Sequence, residues 1–366
     1  MANLLTPEQS ARYARDGVLH PIRAFDTETA AVLRAEVEAL ERDHAAGAGG
    51  HDLNQFFRVN GQLVIPMLHR IASDPGILDP VSSILGQNLL VWSVELFIKE
   101  PGTTKVVSWH QDITYWGMGE TDEELTAWLA LSDVSVQAGC MRFIPGSHKN
   151  AIVPHADTFD ADNLLSRGQQ IEGINEADAV FGAFKPGEMS FHHGRTFHAS
   201  GPNMSDDRRI GMAIRYVTPE VRQPDLTRDY AMLVRGKDEM QGWINVAPPA
   251  RLFDPASLAL YDEVLAAQSA ALTAGAGTAE PGEPSPPDDP APPEEPPTEP
   301  EEPSDPDPPP VAAGFLSTSG SDIVDSEGRV VRLTGVNWFG METETYCPHG
   351  LWTRSLDSCL DQIADL

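Results

Sequence analysis

The stretch LLVWSVELFIK, residues 89–99, marks the point where the chain changes from helix-forming to strand-forming sequence. It is rich in β-branched, aromatic and leucine residues, and a Pro-Gly turn follows it after one residue. Similar segments follow at residues 126–134, 141–144, 188–192 and 211–217. Many short strands at regular intervals are typical of an antiparallel sandwich or jelly roll.

Helical patterns lie on either side of this strand-forming region. Residues 6–17 contain an N-cap threonine, a first-turn proline and a capping-box glutamine, which together predict a short helix. Asp26 begins a longer helix with apolar residues at helical spacing, and glycines from residue 47 onward end it. A last helix is predicted from Asp254 through Leu272. The order of elements predicts a mainly β fold with flanking helices.

The charge of the chain argues against a nucleic-acid partner. It has 25 basic and 55 acidic residues and a formal net charge of −30, whereas binding to phosphate requires clustered Lys and Arg. Residues 280–310 hold 15 of the 31 prolines and 11 acidic residues. Such a composition cannot form an apolar core, so we predict a disordered linker over residues 273–313.

Two features that the sequence lacks bear on the cellular compartment of the protein. No run of about 18 apolar residues occurs, and residues 1–17 have no apolar middle of the kind that secretion signals contain. We therefore expect a cytoplasmic protein without a membrane partner. Of the three cysteines, only Cys140 precedes the linker, which excludes a disulfide framework for the main domain.

Chemistry-bearing residues are concentrated around His110 and Asp112. These two residues lie two apart in an extended segment, so both side chains project from the same face, and His198 offers a second imidazole. Two histidines and one carboxylate leave open metal positions, as in Fe(II) oxygenases. The alternative interpretation is a surface pair, because a single His-x-Asp is weak evidence. His192, His193 and His155 compete with His198 as ligands.

Arg209 follows His198 by eleven residues, across a predicted turn. A guanidinium on the neighbouring strand could bind a remote carboxylate with two hydrogen bonds, which a lysine could not do with the same geometry.

Three motifs together resemble the phytanoyl-CoA dioxygenase family of Fe(II)/2-oxoglutarate oxygenases, over roughly residues 5–220. They are WHQD at 109–112, GCMRFIPGSH at 139–148, and HASGPN at 198–203 leading to Arg209. The resemblance implies a double-stranded β-helix, the cupin-like jelly roll. It also implies that His110, Asp112 and His198 bind iron and that Arg209 and Trp128 bind 2-oxoglutarate. The retained Asp112 implies hydroxylation, because halogenating relatives lack this carboxylate.

The implied reaction consumes 2-oxoglutarate and O2, releases succinate and CO2, and hydroxylates a small organic substrate. The substrate remains open between an acyl-CoA, an aminophosphonate and another small metabolite. Residues 113–118 either form a wall of the cavity mouth or are aromatic packing. Arg58, Lys105 and Arg142 either bind an anionic substrate group or are ordinary surface charges.

The end of the chain resembles a different protein. Residues 314–366, with GVNWFG at 335–340, resemble the opening of a family 5 glycoside hydrolase and would form about one βα unit, whereas a barrel needs eight. We therefore predict an oxygenase domain over residues 1–272, the linker, and an incomplete hydrolase-like fragment over 314–366. The fragment is either a chimeric remnant or a natural interaction tail.

Two other functions remain open from the sequence. One is a catalytically silent jelly-roll binding protein. The other is a glycoside-processing protein that acts through the C-terminal fragment.

Overall fold

The computed structural model describes residues 3–157, 163–164, 169–221 and 228–275, together with 317–319 and 322–324. The chain divides into two units, residues 1–284 and 285–366. In the second unit the described residues form a two-stranded antiparallel hairpin. The rest of the predicted hydrolase-like fragment, and the linker after residue 275, lie outside the described residues.

The first unit begins with helices that the sequence caps. In the first helix Thr6 Oγ1 accepts a hydrogen bond from Gln9 N, and Gln9 Oε1 accepts one from Thr6 N, which forms the predicted capping box. Asp26 caps the second helix through Thr29 N at 2.7 Å. The described residues form six α-helices, which are α1 Pro7–Asp16, α2 Thr27–His44, α3 Leu53–Arg58, α4 Pro66–Ala72, α5 Pro75–Leu85 and α6 Pro255–Gly275.

The described strands are β1 Val18–Arg23, β2 Leu89–Lys99, β3 Val107–His110, β4 Glu124–Ala130, β5 Met141–Phe143, β6 Ala156–Asp157, β7 Gln169–Gln170, β8 Val180–Gly182, β9 Glu188–His192, β10 His198–Ser200, β11 Arg209–Val217, β12 Tyr230–Arg235, β13 Ile244–Asn245, β14 Ser317–Ser319 and β15 Asp322–Val324.

Two sheets form the body of the first unit. The large sheet has the order β1-β9-β4-β11-β2-β12-β13, and the small sheet has the order β3-β10-β5-β8. A further short pair joins β6 to β7. The predicted mainly β architecture with flanking helices is confirmed, as a jelly roll of two facing sheets.

The two faces of the large sheet have different surroundings. On β11, Ile210, Met212 and Ile214 are fully buried in the main apolar core, together with residues of helices α2 to α6. The alternate residues, Arg209 and Arg215 among them, line a cavity on the opposite face. Successive side chains of β11 point to opposite faces, so the strand lies between the core and the candidate site.

Most sequence boundaries agree with the structure within a few residues. The strand predicted over 126–134 runs from Glu124 to Ala130, and the last helix continues past Leu272 to Gly275. Helices α3, α4 and α5 were not predicted. No helix among the described residues is long and apolar enough to cross a membrane.

Candidate metal centre and active site

Three side chains that could bind a metal meet on the inner side of the small sheet. His110 ends β3 and His198 begins β10, and these two residues are direct partners in the antiparallel ladder. Asp112 follows β3 by two residues. One donor atom from each of the three side chains lies within 4.8 Å of the others. The pairing of two short strands therefore brings together two candidate ligands that are 88 positions apart in the sequence.

The sequence analysis placed Asp112 in an extended strand, and this detail was wrong. The strand ends at His110, and Asp112 begins a 3₁₀ helix over Asp112–Tyr115. Gln111 between them keeps an extended backbone, with φ −112° and ψ 128°. The two side chains therefore still face the same side, and His110 Nε2 lies 3.3 Å from Asp112 Oδ1.

Backbone carbonyl groups orient both imidazole rings. His110 Nδ1 donates to Ser108 O at 2.8 Å, and His198 Nδ1 donates to Thr196 O at 2.9 Å. These bonds fix the tautomer and leave each Nε2 lone pair free for a metal. Burial, followed by the neighbouring His110, holds the pKa of His198 well below its usual value, so the ring is neutral as a ligand must be.

The two oxygen atoms of Asp112 have different neighbours. Oδ1 faces the histidines and lies 3.7 Å from His198 Nε2. Oδ2 accepts a hydrogen bond from Thr126 Oγ1 at 3.3 Å and lies 3.4 Å from His192 Nε2. Burial alone would raise the pKa of Asp112, but the charge of Arg215 outweighs it, and the pKa lies well below its usual value. The carboxylate is therefore ionised at neutral pH.

This donor set fits Fe(II). It provides two imidazole nitrogens and one ionised carboxylate oxygen, the combination that non-haem Fe(II) oxygenases use. Donor atoms that lie within 4.8 Å of one another are close enough to share one ion. Within the described part of the chain, it is the one group of three or more His, Cys, Asp or Glu residues that could hold a metal.

Gln111 fixes the segment between the ligands and is completely buried. Its side-chain amide donates to Ala151 O at 3.2 Å and to Arg195 O at 3.1 Å, and its Oε1 accepts from Val153 N at 2.9 Å. Its backbone N–H donates to His155 Nε2 at 3.0 Å. His155 is therefore a supporting residue rather than a rival ligand.

The metal-binding groups line a cavity of about 350 Å³ between the two sheets. Arg209 and Trp128 also line it, and the guanidinium carbon lies 5.3 Å from the centre of the Trp128 ring. Arg209 is 1% exposed; its Nη1 donates to Gly139 O at 2.8 Å, while its Nε has no hydrogen-bond partner among the described residues. A buried guanidinium with a free donor in a cavity is suited to receiving a carboxylate.

Burial lowers the pKa of Arg209 to about 10, so the side chain stays charged at neutral pH. Its stacking on Trp128 depends on a glycine. A Cβ atom on Gly211 would lie 1.8 Å from Trp128 Cζ2, so any larger residue there would displace the ring. In the register of β11 and β4, Gly211 lies on the inner face between Arg209 and Trp128.

Other residues considered from the sequence lie elsewhere. Arg208 turns outward, where it forms ion pairs with Glu41 at 2.8 Å and Glu100 at 2.7 Å. His193 lies beside Glu124 and Asp122, with Nδ1 3.2 Å from Glu124 Oε1. The neighbouring His192 does line the cavity, through its contact with Asp112.

The segment 113–118 is packing rather than a cavity wall. Ile113, Trp116 and Met118 are buried in a separate apolar cluster with Trp243, and none of the described side chains of this segment lines the cavity.

Of the three cations considered for substrate binding, Arg58 lies on the cavity wall. Arg142 instead forms an ion pair with Glu176 at 2.6 Å, and Lys105 is not part of the described wall.

The sequence analysis missed two charged residues of the cavity, Arg215 and Glu95. Both lie in strands that read as apolar and buried. The available signal was the alternation of side chains between the two faces of a strand. Arg215 is six residues beyond Arg209 and hence on the same face of β11.

Comparison with known proteins agrees with this geometry. The sequence is 26% identical over 227 residues to a probable alpha-ketoglutarate-dependent hypophosphite dioxygenase of Stutzerimonas stutzeri, covering 58% of this chain and 79% of that protein. The fold is similar to the apo structure of the non-heme monooxygenase ThoJ, with a TM-score of 0.65, 33% identity, and coverage of 73% and 98% of the two chains. CytC3 with Fe(II) and alpha-ketoglutarate superposes with a TM-score of 0.53 and 25% identity, covering 69% and 97%.

A separate match links the chain to a glycoside hydrolase. Fifty residues are 50% identical to an endoglucanase of Paenibacillus polymyxa, which is 14% of this chain and 13% of that enzyme. The match covers too small a share of that enzyme to assign its activity to this chain.

The sequence model of the phytanoyl-CoA dioxygenase family matches residues 13–211, which is more than half of the chain. This range contains both histidines, the carboxylate and the buried arginine of the cavity. The chain therefore belongs to the phytanoyl-CoA dioxygenase family.

Proposed function

We propose that this protein is an Fe(II)/2-oxoglutarate-dependent dioxygenase that hydroxylates a small organic substrate, with His110, Asp112 and His198 as the iron ligands. One observation carries the assignment. The donor atoms of these three residues converge on one wall of the cavity that also holds Arg209, a buried guanidinium with a free donor.

Bound iron would supply the oxidative chemistry. In this reaction O2 and 2-oxoglutarate are converted into succinate and CO2, and one oxygen atom is placed on the substrate. The residues of the chain would bind and orient the metal and the cosubstrate. Arg209 would hold the remote carboxylate of 2-oxoglutarate, with Trp128 as the wall beneath it. Thr126 keeps Oδ2 of Asp112 turned away, so that Oδ1 remains for the metal.

Part of the cavity wall is apolar. Phe97, Val107 and Met141 are among the apolar residues that line it together with His110, Asp112 and His198. An apolar surrounding strengthens each charge-assisted contact inside the cavity.

The central test is an anaerobic titration of the protein with Fe(II) in the presence of 2-oxoglutarate. We expect the weak visible charge-transfer band of the chelate, and 2-oxoglutarate-dependent succinate formation after O2 is admitted. A folded protein without this band would be a silent jelly-roll binding protein instead. His69→Ala is a matched control, because His69 lies on α4, outside the cavity wall.

We further propose that the oxygenase comprises residues 1–272 and functions without the C-terminal region. Tyr261 and Val264 of α6 are buried in the main core, which supports keeping this helix in the domain. A chain that ends after Gly275 should keep the iron-dependent band and the rate of succinate formation of the full chain. A loss of either would show that the C-terminal region contributes to the oxygenase.

A further inference from the structure

Four side chains from the two sheets surround the carboxylate of Asp112. In the small sheet, His110 and His198 are direct partners in the ladder between β3 and β10. In the large sheet, Thr126 of β4 and His192 of β9 are likewise direct partners. All four residues line the cavity together with Asp112. The carboxylate therefore lies between two pairs of strand residues, one pair from each sheet.

The two pairs approach different oxygen atoms of Asp112. Oδ1 lies 3.3 Å from His110 Nε2 and 3.7 Å from His198 Nε2. Oδ2 accepts a hydrogen bond from Thr126 Oγ1 at 3.3 Å and lies 3.4 Å from His192 Nε2. The small sheet thus presents two imidazoles at one oxygen, and the large sheet presents a hydroxyl and an imidazole at the other.

The burial of His192 calls for a polar partner. Its side chain is 1% exposed, and neither ring nitrogen has a well-formed hydrogen bond to another described residue. A buried imidazole without a hydrogen bond costs free energy. The 3.4 Å between Nε2 and Asp112 Oδ2 is slightly longer than the usual N–H···O distance of about 2.7 to 3.2 Å. Contacts of this kind often shorten when ligands bind, so Oδ2 is the available partner.

The surroundings of His192 fix where its ring lies. Its strand β9 is paired on both sides, with β1 and with β4, and His192 lies opposite Val18 in the first of these ladders. The preceding residue, Phe191, is completely buried in the main core. The imidazole itself packs against the rings of Phe143 and His198, with centres 5.5 and 4.6 Å away. The ring is therefore held beside Asp112 by the packing of the sheet.

We propose that His192 is a positioning residue that donates from Nε2 to Oδ2 of Asp112 and, with Thr126, keeps this oxygen away from the metal. The inference rests on the proposed oxygenase function. A carboxylate can bind a metal through one oxygen or through two. A second bound oxygen would occupy a position that 2-oxoglutarate or O2 requires. His192 is not a fourth ligand, because it is not among the side chains whose donor atoms converge within 4.8 Å.

The test measures metal binding to the full chain without turnover. Mn(II) is the probe, and the free ion is counted by its electron paramagnetic resonance signal. His192→Phe keeps an aromatic ring but removes the donor, whereas His192→Gln places an amide N–H near the position of Nε2. We expect His192→Phe to raise the Kd for Mn(II) about tenfold, and His192→Gln to stay within about threefold of the parent, as for residues that support metal ligands.

A second readout is the charge-transfer band of the protein saturated with Fe(II) and 2-oxoglutarate under anaerobic conditions. In His192→Phe this band should shift or weaken, because the freed carboxylate oxygen competes with the cosubstrate. In His192→Gln it should resemble the band of the parent. His20→Phe is the matched control, since the ring of His20 also packs against Phe143, with centres 5.9 Å apart, but is not part of the described cavity wall. This control should change neither the Kd nor the band.

Three results would overturn the inference. The first is a folded His192→Phe variant with the Kd and the band of the parent. The second is an equal loss in His192→Phe and His192→Gln, which would assign the effect to ring packing. The third is complete loss of Mn(II) binding in His192→Phe, as expected for His110→Ala, which would make His192 a ligand.

Thr126→Val takes the place of any His192 variant that fails to fold, because it removes the other contact to the same oxygen. It should raise the Kd for Mn(II) and alter the band in the same direction as His192→Phe. Parent values in Thr126→Val would show that Oδ2 needs no such contact and would overturn the inference. A parent protein that binds no Mn(II) and gives no band with Fe(II) and 2-oxoglutarate would instead contradict the proposed function itself.

Discussion

The small and the large sheet of this jelly roll carry different parts of the site. The small sheet has short strands, and two of them, β3 and β10, place His110 and His198 side by side. The large sheet has strands of up to 11 residues; it buries one face in the main core and presents Arg209 and Arg215 on the other. The proposed metal site therefore lies in a part of the fold that contributes little to its main core. Ligand substitutions and core substitutions should have separable effects.

The largest expected effect on activity comes from the small sheet. His110→Ala should reduce 2-oxoglutarate-dependent succinate formation by more than about 100-fold, because even residues that only support metal ligands typically contribute 10- to 100-fold. The melting temperature should change little, since His110 lies outside the main core cluster. Activity is measured as succinate formation, and stability by thermal unfolding. Parent-level turnover in this variant would remove His110 from the ligand set.

The corresponding change in the large sheet is Ile214→Ala. Ile214 is completely buried on the outer face of β11, so its truncation should lower the free energy of unfolding by about 2 to 5 kcal/mol. Urea unfolding measures this loss. The folded protein should still give the charge-transfer band with Fe(II) and 2-oxoglutarate. Loss of the band at full folding would mean that the two sheets are less independent than the comparison suggests.

A smaller effect is expected from Arg209→Gln on the inner face of the same strand. Loss of a charge-assisted contact of about 1.5 to 3 kcal/mol should raise the apparent KM for 2-oxoglutarate by roughly 10- to 150-fold, with less effect on the requirement for iron. Arg208→Gln is the matched neighbour, because Arg208 pairs with Glu41 and Glu100 on the surface. If Arg208→Gln produced the rise and Arg209→Gln did not, the assignment would be reversed.

The smallest predicted effect concerns pH and Lys99, which lies opposite Arg209 in the ladder between β2 and β11. Burial, followed by Arg209, lowers the pKa of Lys99 from 10.5 to about 6. Between these values the unfolded chain binds a proton that the folded chain does not, so Lys99 makes the folded state more stable as the pH rises.

This contribution is at most about 1.4 kcal/mol per pH unit. Urea unfolding of the parent and of Lys99→Met at pH 7 and pH 9 measures it, and the variant should show the smaller increase. Equal increases would mean that Lys99 remains charged in the folded protein.

The sequence predicted the framework better than the details of the site. The helices α1 and α2 were visible because Thr6 and Asp26 are local capping signals. Helix α3 was missed because six residues are too few to show helical periodicity, and its position depends on packing against β2. Arg215 was missed for another reason. Its strand was interpreted as apolar and buried, although the even spacing from Arg209 places Arg215 on the same face of β11.

The proposed ligand set was likewise only partly predictable from the sequence. The spacing of His110 and Asp112 suggested a metal, but the choice of His198 over His192, and of Arg209 and Trp128 as cosubstrate residues, came from the family resemblance. The structure shows why spacing alone could not decide, because His192 and His198 have ring centres only 4.6 Å apart. Their roles differ through contacts that the sequence does not contain: His198 Nδ1 bonds to Thr196 O, whereas His192 lies against Asp112 Oδ2.

The buried Gln111 has a consequence for how the protein acquires its metal. Its side chain bridges the segment of His110 and Asp112 to Arg195 O, three residues before His198, the third proposed ligand. Both halves of the chelate are thereby tied together by hydrogen bonds of the polypeptide itself. Loading of an ion would then require little loss of conformational entropy, because the ordering has already occurred during folding. Affinity for iron in this protein is in this sense a property of its folding, and ions of similar size should exchange without rearrangement of the chain.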